Sequence, residues 1–203
     1  VLLSAAHTVE VFTLPVVNGH YPSVASRHPP ALRMERAIAD LFGFRAEGCS
    51  DTRPWLDHGK WPISAPLAAI PAPVNSNTTY AFLPVEGPGI HQVPVGPIHA
   101  GIIEPGHFRF SANGETVIRL EERLGYVHKG VEKLFEGANL TIASKLAGRI
   151  SGDSTVAYAL AFARAGEMAL GIEVPPRAVW LRALMAEMER IANHLGDIGA
   201  ICN

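Results

Sequence analysis

Fourteen of the 16 prolines lie at or before Pro105, and only Pro175 and Pro176 follow. A proline inside a helix removes a hydrogen bond and clashes with the preceding turn, at a cost of about 3 kcal/mol. The first half therefore cannot be mainly long helix, whereas the second half can. Hydrophobic residues make up 48% of the 203 residues and charged residues 18%, which is globular composition and excludes a solvating tail. Lys+Arg 17 against Asp+Glu 19 leaves no basic platform for nucleic acid or an anionic membrane. Cys49 and Cys202 form no CxxC and no ligand spacing with histidine, which excludes a disulfide framework and a zinc ribbon and suits a reducing compartment. No apolar run approaches the roughly 18 residues of a membrane span, and no signal segment opens the chain. The start at Val1 and the stop at Asn203, just after a helical pattern, suggest a piece of a longer polypeptide.

The pattern along the chain predicts an α+β protein. Thr8–Leu14 (TVEVFTL) is short and β-branched, as in a strand, and Pro15, Asn18-Gly19 and Pro22 mark turns. Leu32, Ile38, Leu41 and Phe42 recur at near-helical spacing after Pro29-Pro30, and Gly43 suits the end of that helix. A small α+β unit ending near Trp61-Pro62 follows. The proline-rich stretch beyond it reads as an extended linker. His107–Ser111 and Thr116–Leu120 alternate around Asn113-Gly114, the pair best suited to a type I′ hairpin turn. After Val131 the chain is helical. Thr155–Leu170 ends at Gly171, and Ala178–Leu195 carries the stripe Leu181, Leu184, Met188, Ile191 and Leu195. Two helices joined so closely predict an antiparallel helical bundle behind a small sheet.

Three places carry candidate chemistry. The loop from Gly96 to His107 gathers His99, Glu104 and His107, and a histidine–carboxylate set can shuttle protons near neutral pH; the plainer reading is a turn whose histidines satisfy local backbone groups. Glu132 lies in the first turn of a helix, where it complements the helix dipole or serves a relay. Glu187 and His194 are seven residues apart on the last helix, with Arg190 placed to pair with Glu187, as in an ordinary solvated ion pair. Ser151 and Ser154 precede a helix and suit capping; Gly-Asp-Ser is not a nucleophile elbow.

Taken together, GPIHAGIIEPGHFRF, GYVHKGVEKLFEG and GIEVPPRAVWLRALMAEMERIANHLGDIGA resemble the large subunit of membrane-associated nickel–iron hydrogenases of the formate-hydrogenlyase (hydrogenase-3) type and the related 49 kDa subunit of complex I (NADH:quinone oxidoreductase), over about residues 94–203. Glu35-Arg36, Asp40-Leu41-Phe42-Gly43-Phe44, Glu47-Gly48, Asp51, Arg53 and Trp61-Pro62 are similar to the 30 kDa subunit of complex I. The resemblance implies a 30 kDa-like unit over 1–62, a linker over 63–92 and the opening of a 49 kDa-like domain over 93–203. It also implies an oxidoreductase complex with an iron–sulfur small subunit and membrane subunits as partners, held peripherally on the inner face of the cytoplasmic membrane.

Where those hydrogenases carry R-x-C-G-x-C, this chain has Arg149-Ile150-Ser151-Gly152-Asp153-Ser154, so both thiolate positions hold serine. A hard oxygen replaces a soft thiolate poorly, so the resemblance leaves no nickel site and no cofactor in this chain, with iron–sulfur clusters in a partner. The quinone-contacting tyrosine of complex I falls on Gly152, and its quinone-contacting histidine on either His99 or His107. Glu104 matches a proton-relay glutamate, Glu132 a carboxylate of the metal-supporting network, and Arg177, Glu187, Arg190 and His194 a polar network inside the bundle. Two functions follow as expectations: quinone binding or redox–proton coupling through Glu104, His99 and His107, or a non-catalytic scaffold that keeps only the interfaces.

Overall fold

Residues 2–5, 8–71, 80–101 and 103–202 are described by the computed structural model, an α+β chain. Strands β1 (Leu2–Ala5) and β2 (Thr8–Val11) pair antiparallel, so the strand expected to reach Leu14 stops at Val11. Strand β3 (His20–Pro22) runs parallel to β4 (Arg45–Glu47), and the crossover between them is helix α1 (Leu32–Phe42). The helix enters through a 3-10 turn at Pro29–Ala31 and closes at Gly43, whose φ of 73° is the left-handed conformation that glycine adopts without strain. That helix is the one the apolar spacing predicts. Strands of three residues show no periodicity, and β3 and β4 escape a sequence reading for that reason.

A second sheet holds β5 (Ile90–Val95), β6 (His107–Asn113) and β7 (Thr116–Arg123), antiparallel in that order. Strand β5 begins inside the expected linker and contains Pro94. It is an edge strand, where proline does not break a ladder. Asn113 pairs with Thr116, so the turn residues are Gly114 and Glu115, with Gly114 at φ 58°. Glycine alone at the first central position gives type II′ geometry instead of the expected type I′. A bulge also interrupts the hairpin: Ser111 pairs with Arg119 and Ala112 with Val117, which leaves Ile118 as the extra residue.

The described parts of the expected linker dock onto their surroundings. Leu67 N–H donates to Leu41 O at 2.9 Å, Tyr80 O–H to Glu122 O at 3.3 Å, and Leu83 N–H to the Glu121 carboxylate at 2.9 Å. Residues 72–79 lie outside the described residues. By contacts the chain divides into Val1–His128 and Lys129–Asn203. The boundaries 1–62, 63–92 and 93–203 concern ancestry, which a contact division does not address.

The Lys129–Asn203 unit contains α2 (Val131–Phe135), α3 (Leu140–Ala147), α4 (Thr155–Leu170) and α5 (Pro176–Cys202). Helix α4 has the expected bounds and ends on Gly171 at φ 65°. Helices α4 and α5 run antiparallel, since Glu167 meets Arg182 while Val156 meets Glu189. The stripe from Leu181 to Leu195 lies on α5 as expected, but it is 50–64% exposed, because α4 covers another face of the helix. Among the described residues no helix is long and apolar enough to cross a membrane.

Candidate functional site

The Gly96–His107 loop folds back on itself by two backbone contacts. Gly106 N–H donates to Pro97 O at 3.0 Å, and His99 bridges to Ile103. The peptide Gly96-Pro97 is cis. His99 lies 2.8 Å through Nε2 from Gly106 O, and since a carbonyl only accepts, Nε2 carries the proton. In the neutral ring this leaves Nδ1 as the basic nitrogen. A cavity of about 430 Å³ opens beside it, lined by His99, Glu104, Phe108, Leu124, Gly125 and Val127 among others.

His107 is turned away from that cavity. Successive strand side chains point to opposite faces, so Phe108 faces His99, at 5.9 Å between ring centroids, while His107 packs on Phe82 at 5.3 Å. Its Nδ1 lies 3.4 Å from Gly96 O, and its Nε2 is buried without a hydrogen-bond partner. Of the three loop residues singled out from sequence, His99 and Glu104 share a cavity and His107 does not. The alternation within HFRF already carried that signal.

The most buried charges lie elsewhere. Glu35 and Arg36, 4% and 6% exposed, start the set. The Glu35 carboxylate accepts from Ser23 Oγ and from Val24 and Ala25 N–H at 2.6–3.2 Å. Arg36 pairs with Asp51 at 3.2 Å and donates to the carbonyls of Arg53 and Pro54, with its guanidinium over Trp55. Asp51 pairs with Arg53 at 2.7 Å, and Arg53 with Glu121 on β7 at 2.6 Å. Burial pushes the Asp51 carboxyl up, but the Arg53 hydrogen bonds and the Arg36 charge outweigh it and hold the group below its usual range. Asp40 is raised instead: its burial outweighs the N–H groups of Trp55, Leu56 and Asp57, which all donate to Oδ2. Sequence reading found five of these residues only as parts of a resemblance, with no role attached. Glu121 it did not find.

In the helical unit, Glu189 and Asn193, four residues apart on α5, hold the entry to α4. The Glu189 carboxylate accepts from Val156 and Ala157 N–H at 2.6 and 3.0 Å, and Asn193 Nδ2 donates to Asp153 O at 2.7 Å. A helix start leaves four N–H groups unpaired, and here a neighbouring helix satisfies two of them. Removing Glu189 as alanine should cost about 0.5–2 kcal/mol, the usual worth of a cap. Thermal unfolding of the full chain followed in the far ultraviolet checks this, and an unchanged Tm would show that water caps the helix equally well.

Residues 1–69 match the family model described as respiratory-chain NADH dehydrogenase, 30 Kd subunit. Over 193 residues, 90% of this chain, it is 36% identical to formate hydrogenlyase subunit 5 of Escherichia coli (strain K12) and covers 34% of that protein. Hydrogenase-4 component G of the same organism is 36% identical over 192 residues, again 90% of this chain and 35% of the relative. The chain is thus similar to subunits of formate hydrogenlyase, hydrogenase-4 and complex I.

The likeness also extends to an NADH-quinone oxidoreductase subunit of Streptomyces griseus, 40% identical over 106 residues, which is 52% of this chain and 27% of that protein. The chain spans about a third of the length of the first two relatives. At the positions that the family resemblance relates to thiolates, Ser151 Oγ donates to the Asp153 carboxylate, and Ser154 stands at the start of α4. Neither serine makes a side-chain cap bond, in contrast to the capping expected from sequence. The other family positions are all exposed: Glu132 in the first turn of α2, and Arg177, Glu187, Arg190 and His194 along α5. Glu187 and Arg190 pair at 3.0 Å on that open face.

Proposed function

We propose that this chain is a hydrogenase-like subunit of a membrane-associated redox complex that works without a nickel–iron centre, and that the cavity at His99 and Glu104 takes part in quinone binding or redox–proton coupling. The observation that carries this reading is that cavity: one imidazole with a fixed tautomer and one carboxyl share an apolar pocket. With Nε2–H committed to Gly106 O, His99 takes or gives a proton at Nδ1. A quinone oxygen accepts hydrogen bonds, so His99 meets it through a proton carried at Nδ1. Glu104, exposed at the rim, exchanges protons with solvent.

What supports the nickel-free part is the donor set. Ser151 and Ser154 offer oxygens, the first already bound to a carboxylate, and such donors do not fit a soft-metal centre. The iron–sulfur small subunit and the membrane subunits are proposed partners, with the clusters in the small subunit. Attachment is peripheral, on the inner face of the cytoplasmic membrane.

The exposed apolar side chains of α4 and α5 favour a second reading, a scaffold without catalysis. Met168 and Trp180 are 84% and 76% exposed, and Leu184 on the open stripe is 57% exposed. The assembled complex purified from membranes separates the two. In the first reading it reduces a short-chain quinone, contains no stoichiometric nickel, and loses about a hundredfold or more of its rate in Glu104→Gln, in keeping with the usual weight of one acid–base group. If Glu104→Gln keeps full activity while Leu184→Ala loses its partners, the subunit is a scaffold. Stoichiometric nickel would overturn the nickel-free reading.

A further inference from the structure

The His99–Glu104 cavity has a second wall, Leu124–Gly125, and the residues that fix it come from the part of the chain matching the 30 Kd subunit. His58 Nε2–H donates to Leu124 O at 2.7 Å, and its ring meets Tyr80 edge-on at 5.5 Å. Gly125 has φ 89°, and a Cβ there would stand 2.4 Å from Leu56 O. The Leu56 carbonyl is not free to recoil, because Asp40 Oδ2 binds the N–H groups of Trp55, Leu56 and Asp57 at 2.7–3.2 Å. Next along the wall, Val127 precedes His128, whose ring stacks on Trp61 at 4.8 Å.

A residue that only filled this space would be apolar. His58 instead leaves Nδ1 buried with no hydrogen-bond partner, a cost that aromatic or aliphatic packing would avoid. What an imidazole adds here is an N–H that reaches Leu124 O. We propose that Leu56 and His58 are positioning residues for the cavity, so that the 30 Kd-like part shapes the pocket that the hydrogenase-like part carries. The inference rests on reading the cavity as a binding site.

His99 itself is the reporter. In the full chain, the rate of its acylation by diethyl pyrocarbonate, read by mass spectrometry, and its NMR titration need neither substrate nor partner. Four variants are compared at a temperature where each is folded. His58→Leu removes the N–H and Asp40→Ala releases Leu56 by a separate route. His58→Gln keeps an N–H for Leu124 O, and Glu189→Ala controls for general loosening. The expected result is an acylation rate changed about fivefold or more in His58→Leu and Asp40→Ala, the weight of one hydrogen bond, with the titration displaced as well. His58→Gln and Glu189→Ala should stay at the wild-type rate. Wild-type behaviour of His99 in both disruptive variants overturns the proposal, as does an equal change in His58→Gln. A complex that fails to reduce quinone would instead overturn the proposed function and leave this measurement standing.

Discussion

Replacing Arg53 by alanine is expected to destabilise the Val1–His128 unit by about 3–5 kcal/mol, the cost of breaking a buried ion pair by removing one partner. Glu121 is only 7% exposed at its side chain and would keep Leu83 N–H as a donor but lose its cation. Asp51 would retain Arg36, so the loss falls mainly on Glu121. Denaturant unfolding of the full chain, with the transition of this unit followed separately, measures the effect. A midpoint within experimental error of wild type would show the network to be energetically idle. The same variant should also respond differently to acid. Asp51 sits below its usual value of 3.8 in the folded chain, so its contribution is present above about pH 4 and is lost as pH falls through the lowered value. Without Arg53 that acid-dependent loss should shrink.

The second large effect is expected at Gly96. Its φ of 80° costs a residue with a Cβ about 1–2 kcal/mol. A Cβ would also lie 2.2 Å from Gly106 O and 2.7 Å from His99 Nε2. Gly106 cannot retreat freely, since its own N–H is bound to Pro97 O, and overpacking of this kind typically adds about 1–3 kcal/mol. Gly96→Ala should therefore unfold at lower denaturant and break the His99–Gly106 hydrogen bond, with the ring resonances of His99 shifting accordingly. A variant with wild-type stability and unshifted His99 resonances would mean that the loop is not held as described.

Local features were legible and distant ones were not. Helix α4 could be bounded from Thr155 to Leu170 because its alanine-rich run meets a glycine that closes it, and α1 likewise ends at Gly43. The hairpin was legible as a hairpin, but its bulge at Ser111/Ala112 and its shifted turn depend on how the two strands pack. The proline-rich stretch read as an extended linker, whereas β5 with Pro94 in it is a strand, at the edge of its sheet where proline does not break a ladder. In the candidate site, the crowding of His99, Glu104 and His107 was visible as composition, and the strand expected from His107 already set that residue on the face opposite Phe108. Arg53 and Glu121 are 68 residues apart, and Glu189 caps a helix 33 residues away. No spacing rule links such pairs, because folding, not sequence proximity, brings them together.

That 68-residue separation also bears on when the Arg53–Glu121 pair forms. A hairpin with a two-residue turn closes in microseconds, whereas a loop of this length pays an entropy of about 4 kcal/mol before its ends meet. Contacts made across long loops tend to come late, after the rate-limiting barrier, and interactions absent from the transition state act on the rate of unfolding more than on the rate of folding. The Arg53–Glu121 pair thus works as a brake on opening, and the lifetime of the folded unit depends on it more than the speed of its assembly does.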